Sequence, residues 1–225
     1  MSSQGTSSLV ERPSLEELEY IKAMSRRSVI DAYAEWKVIS KAEELCVDMA
    51  FRTGLSVLDL GCGAGRFAHY IGHEASLYLG IDASAEMIEA ARNNYPSLAF
   101  QQNDIVKFDT DDSSWDVILL MGNVLDYLQP FERRTAVLRR CKNWLSDGGK
   151  IIGSSHLAKC GQVPGYYRED YHGACVENYR ASLAENISEV EACGLEVIFA
   201  HRDFRNGSRA DWFYWLAQRS LPAFR

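Results

Sequence analysis

From Gly54 onward, short apolar and β-branched runs alternate with stretches whose apolar positions recur at helical spacing. That alternation is the mark of βαβ units around a parallel sheet. The runs predict strands over Ser56–Leu60, Leu77–Asp82, Ala99–Gln102, Asp116–Met121 and Lys150–Ser154. Helices are expected to begin near Arg66, Ala85 and Phe131. The third leads to the turn Asp147-Gly148-Gly149, and a further helix, about Glu177 to Ala192, ends at Gly194, which suits a helix C-terminus. The final runs Leu195–His201 and Trp212–Ala217 are joined around Asn206-Gly207, which favours an antiparallel pair over another crossover. Leu157 to His172 carries glycine, proline and aromatic residues without a period, and reads as a long connection of the kind that shapes a site.

Upstream, Ser14-Leu15-Glu16-Glu17 fits a capping box, with Glu17 answering Ser14 three residues later. Helical spacing runs from Leu15 through Met24 and again from Val29 through Met49, until Thr53-Gly54 interrupt it. Three zones follow: a polar, mobile start over 1–13, N-terminal helices over 14–52 placed to form a lid on the substrate side, and a core over 53–225.

A chain of 225 residues, 47% of them hydrophobic, is sized for one core. Its net charge of -7 and pI near 5.3 argue against a nucleic-acid partner, which requires a basic footprint. The six cysteines form no C-x-x-C pair or metal set and suit reduced thiols. No apolar run approaches the roughly 18 residues of a spanning helix, so the expectation is a soluble, cytoplasmic protein with no membrane partner. A homo-oligomer is left open.

The strongest local signal is V57-L-D-L-G-C-G-A-G-R66, an apolar strand that ends in alternating glycines and enters a helix. Such a loop lets a ligand approach the amides at a helix start. The dinucleotide fingerprint G-x-G-x-x-G needs a third glycine where Arg66 stands, which weakens a nicotinamide reading. Asp82, at the end of the next strand, occupies the place of a ribose-binding carboxylate.

These residues, with G-I-D-A-S-A-E-M-I from Gly80, Q-Q-N-D-I from Gln101, W-D-V-I-L-L-M-G-N from Trp115 and L-S-D-G-G-K-I-I from Leu145, resemble the class I S-adenosylmethionine-dependent methyltransferases. The resemblance implies an α/β, Rossmann-like, doubly wound seven-stranded sheet, mostly parallel with an antiparallel last strand. It implies S-adenosylmethionine as cofactor. Gly61, Cys62 and Gly63 would hold the methionine end and Asp82 the ribose; Ala83 and Met87 would flank the adenine, with Asp104 and the Ile105 amide at its amino edge. Met121 and Gly122 match the wall beside the methionine moiety, and Tyr33 is placed to close over the cofactor from the N-terminal helices.

Acceptor-side groups belong at the carboxyl ends of the strands. His156, after the fifth strand, is the candidate for proton transfer or substrate contact. Asn123 and Tyr127, after the fourth, and Tyr166, Tyr167, Arg168 and His172, on the long connection, are candidate substrate residues. The fourth strand is not followed by Asn/Asp-Pro-Pro-Tyr/Phe, which disfavours the family's amide and exocyclic-amine enzymes. The expected function is methyl transfer to an N or O atom of a small-molecule acceptor, a specialised metabolite. The alternatives are a protein or peptide methyltransferase and a non-catalytic cofactor-binding partner subunit.

Overall fold

The computed structural model describes residues 13–111, 113–171, 174–204 and 211–220. Five parallel strands form its centre: β1 (Ser56–Leu60), β2 (Leu77–Asp82), β3 (Ala99–Gln102), β4 (Trp115–Leu120) and β5 (Leu145–Leu157). They lie in the order β3-β2-β1-β4-β5. Beyond β5, β9 (Asp211–Arg219) runs antiparallel along Lys150–Leu157, and β8 (Leu195–Asp203) pairs antiparallel with β9. The mostly parallel seven-stranded sheet with an antiparallel last strand is present. The Asn206-Gly207 connection lies outside the described residues.

Alternation along the strands sorts their side chains into two apolar layers. Leu58, Leu60, Ile118, Leu120 and Ile151 join one layer with α5 (Phe131–Trp144) and α6 (Leu183–Ala192). Val57, Val117, Leu119 and Ile152 join the other, with α3 (Lys41–Ala50), α4 (Ala85–Asn94) and the one-turn π-helical segment Ala68–Gly72. The order reverses between β1 and β4, so a crevice opens at their carboxyl ends, where doubly wound sheets bind ligands.

Four readings of the sequence change. The helical run from Val29 to Met49 is two helices, α2 (Arg27–Glu35) and α3, because Ser40 starts the second with a complete capping box to Glu43. In α1 (Leu15–Met24), Ser14 accepts from the Glu17 amide as expected, but the Glu17 carboxylate turns inward to Arg133 and the Gln129 amide. The helix expected from Glu177 begins at Leu183, where Ser182 and Glu185 form the capping box.

The long connection is largely a hairpin of β6 (Gly165–Tyr171) and β7 (Ala174–Ala181). Its seam with the sheet is short: β7 pairs with β5 at His156 and Leu157 alone. The ladder between β4 and β5 ends at Leu120 and Gly153, so the hairpin extends the sheet past the end of β4 and stands over the crevice.

Candidate functional site

The glycine loop is pinned between strands. The Gly61 and Cys62 amides donate to the Ile81 carbonyl on β2, and Gly61 adopts φ 76°. A side chain there would meet Val124, so only glycine permits this approach. Asp82 accepts from the Gly63 amide through Oδ2 and from the Ser84 amide through Oδ1, each at 2.9 Å. One carboxylate thus joins the loop to the start of α4. Burial pushes its carboxyl above the ordinary carboxylate range, against the pull of those amides.

A cavity of about 430 Å³ opens at this crevice. Gly61, Cys62, Gly63, Asp82, Ala83, Asp104, Ile105, Met121, Gly122 and Tyr33 line it, as do Asn123, Tyr127 and His156. Met87 does not; it is buried behind the wall against Met24, Val29, Ile30 and Ala64. Tyr166, Tyr167 and Arg168 are also outside the lining. The Tyr166 hydroxyl donates to the Leu128 carbonyl, that of Tyr167 to the Val163 carbonyl, and exposed Arg168 pairs with Glu177. His172 lies outside the described residues.

The cavity is covered from two sides. Tyr20 on α1 stacks on Tyr127 with centroids 3.7 Å apart, and Tyr33 on α2 meets the hydroxyl of Tyr171 on β6. Glu17, Met24, Glu169, Asp170, Tyr171 and Trp212 also line it and escaped the reading of the sequence. Their signal was weak: β6 read as a loop, and Glu17 as a cap. Arg133 ties this cover down. Its guanidinium bridges Glu17 of α1 to Asp104 beside the cavity, both at 2.9 Å.

At the carboxyl ends of β4 and β5 lies a buried polar chain. Asp126 accepts from Arg134 at 2.7 Å and from both the backbone amide and Nδ1 of His156, at 2.6 and 2.8 Å. The far ring nitrogen, Nε2, is 3.1 Å from the Asn123 amide nitrogen. Asn123 takes the left-handed conformation, φ 58°, which costs a non-glycine residue strain and recurs at functional sites.

A glycine loop with a carboxylate at the next strand end, opening onto a covered crevice, defines a Rossmann-like nucleotide-binding protein. Residues 57–149 match the family described as Methyltransferase domain. The chain is 32% identical over 112 residues to phosphoethanolamine N-methyltransferase 3 of Arabidopsis thaliana, which covers 47% of this chain and 22% of that protein. It is 34% identical over 87 residues to malonyl-acyl-carrier protein O-methyltransferase of Pectobacterium atrosepticum, 39% of this chain and 34% of the relative. The chain thus spans about a third or less of those relatives' lengths. Among solved structures, 1,6-didemethyltoxoflavin-N1-methyltransferase of Burkholderia thailandensis, with its substrate and S-adenosylhomocysteine bound, superposes with a TM-score of 0.72 at 16% identity, over 91% of this chain and 88% of that one. Residues 57–149 thus resemble a methyltransferase domain, and the chain shares its fold with a structure that holds S-adenosylhomocysteine, the demethylated form of S-adenosylmethionine.

The residues present fit that cofactor. Gly122, at φ 69°, has open space where a side chain would stand, leaving room beside Met121. The Cys62 thiol, driven well above its ordinary ionisation by burial, stays neutral and unreactive. No helix among the described residues is long and apolar enough to cross a membrane.

Proposed function

We propose that this chain transfers a methyl group from S-adenosylmethionine to a small, uncharged acceptor held in the covered cavity. One observation carries it: the residues matching the family's cofactor positions, Met87 excepted, and the acceptor candidates Asn123, Tyr127 and His156 line a single cavity. When bound, S-adenosylmethionine supplies a methyl group on a positively charged sulfur. The chain's part is to hold and to exclude. Asp82 and the Gly61–Gly63 backbone face the ribose and methionine ends, and Asp104 and Ile105 the adenine. Tyr20, Tyr33 and Tyr171 keep water out, so that alignment and desolvation supply much of the rate.

The lining charge guides acceptor class. Arg66 is the one lysine or arginine among the described lining residues, and Glu43 holds it by two contacts at 2.8 and 3.0 Å. A phosphate or carboxylate therefore finds no ready cation, which separates the proposed acceptor from phosphoethanolamine and malonyl groups. The small, aromatic-walled cavity also favours a small molecule over a peptide. A non-catalytic role is less well supported, because Tyr33 and Trp36 stand in the cavity's wall and leave its interior open.

The test is calorimetric titration with S-adenosylmethionine, S-adenosylhomocysteine and NADH, followed by an acceptor screen for methylated product. Binding of the first two with turnover on a neutral acceptor is the expected result. Binding of NADH alone, or of none, removes the reading.

A further inference from the structure

Resting on the methyltransferase reading, we propose that the acceptor presents a phenol-type hydroxyl, and that His156, oriented by Asp126, removes its proton. The geometry begins with Asp126, which is fully buried and whose carboxylate only accepts hydrogen bonds. It faces Nδ1 at 2.8 Å, so the ring carries its proton there. Nε2 then holds the ring's one lone pair on the cavity side, where the Asn123 amide nitrogen donates to it in this structure and must give way to an acceptor's hydroxyl.

Charge supports the transfer. Arg134 joins Asp126 to Glu189, with both contacts to Glu189 at 2.9 Å, so two carboxylates surround one guanidinium and the chain of groups keeps one negative charge. An imidazolium at His156 balances it. The other groups packed on the ring are uncharged: Tyr127 and Trp212 stand edge-on, with centroids at 6.0 and 5.7 Å. Glu169, on the covering hairpin, is held by Arg180, and Glu17 and Asp104 are held by Arg133.

Asn123 provides an independent sign. The residue is 1% exposed, it lines the cavity, and its Oδ1 has no hydrogen-bond partner. Leaving a buried acceptor unmatched is costly, and the left-handed backbone adds to this. Both costs make sense if a ligand completes the site. The amide also suits a ring that changes protonation: Nδ2 donates to the neutral ring, and the amide turned over offers Oδ1 to the protonated one. Asn123 is then a positioning residue.

The step balances. The acceptor's O–H proton passes to Nε2. Its oxygen pair forms the bond to the methyl carbon as the carbon–sulfur bond breaks, with that pair staying on sulfur. The products are a methyl ether, S-adenosylhomocysteine and an imidazolium that later loses its proton to water. A neutral amine has its lone pair open and leaves such a base idle. The flat walls of Tyr20, Tyr127, Tyr171 and Trp212 suit an aromatic ring.

The probes are 4-nitrophenol and its amine counterpart 4-nitroaniline, added to protein already shown to bind S-adenosylhomocysteine. Below the solution ionisation of 4-nitrophenol, the bound probe is expected to show the phenolate absorption band, and with S-adenosylmethionine it is expected to be methylated. His156→Gln loses the band and lowers kcat about 10²- to 10⁴-fold, with S-adenosylhomocysteine affinity within about twofold of wild type. Nitrogen-15 imidazole spectra of the ligand-free protein are expected to show the Nδ1–H form, lost in Asp126→Asn. A neutral bound phenol, failure of the phenol to bind, methylation of the phenol at an unchanged rate in His156→Gln, or an Nε2–H ring each overturns the assignment. Failure to bind S-adenosylhomocysteine overturns the methyltransferase reading instead.

Discussion

The hydroxyls of Tyr33 and Tyr171 meet across the top of the cavity, joining the N-terminal helices to the β6–β7 hairpin. Burial holds both phenols above their ordinary ionisation, so the link is a hydrogen bond between neutral groups. Tyr171→Phe keeps the ring and removes the link, which is worth about 1 kcal/mol. Release of S-adenosylhomocysteine in stopped flow is expected to quicken about fivefold. An unchanged rate means that the two covers open independently of this bond.

Asp82 accepts from two backbone amides and faces the cavity. Asp82→Ala removes a carboxylate whose hydrogen bonds are each worth about 1.5–3 kcal/mol. Cofactor affinity by calorimetry is expected to fall about 10²-fold or more. Wild-type affinity would place the ribose elsewhere.

Asp59, on β1, is buried, and burial drives its carboxyl up to about 7 despite the Tyr78 hydroxyl donating at 2.6 Å. The folded chain therefore keeps a proton that the unfolded chain sheds above the ordinary value of about 4. The sign follows: this group's contribution is full below about pH 4 and is lost as pH rises through about 7. Asp59→Asn stays neutral, so its Tm is expected to exceed the wild type's at pH 8, by the equivalent of at most about 4 kcal/mol, and to converge with it at pH 4. Parallel Tm curves across that range contradict the assignment.

Gly153 pairs with Trp215 across β5 and β9, and a methyl group at residue 153 would overlap the indole. Trp215 is buried and has no room to yield. Gly153→Ala is expected to cost about 1–3 kcal/mol in chemical denaturation with an unchanged m-value.

The sheet was legible because each parallel strand is an apolar run bounded by turn residues, and because Asp82 ends β2 at the distance from Gly61 that the fold demands. Local features that compete with one another were harder to read. In Ala174–Ala181, Val176, Asn178 and Arg180 are buried with period two, yet Asn178 and Arg180 are polar and hide that period from a hydrophobicity pattern. Their burial depends on partners such as Glu169, which only the folded hairpin brings near.

Of the residues that line the cavity, those carried by contiguous motifs were named from the sequence, and those recruited from afar were not. Gly61, Asp82 and Asp104 lie where their motifs place them, and all line the cavity. Met87 matched its motif too, but the first turn of α4 directs it into the packing beneath α2. Tyr166 and Tyr167 were chosen as aromatic residues on a presumed loop, whereas Glu169 and Tyr171 of the same strand reach the cavity. Arg133 and Arg134, neighbours on α5, belong to no motif and are both buried, one tethering the α1 cover and the other neutralising half of the Asp126–Glu189 pair.

The covering hairpin touches the β5 ladder at two residues, while the glycine loop, β2 and α4 lie on the far side of the crevice. Lengthening, replacing or reshaping it leaves every core strand its own partners. On the proposed function, acceptor preference can therefore drift between descendants of this scaffold while cofactor recognition is inherited intact, as if one hand were free to learn a new grip while the other keeps its hold.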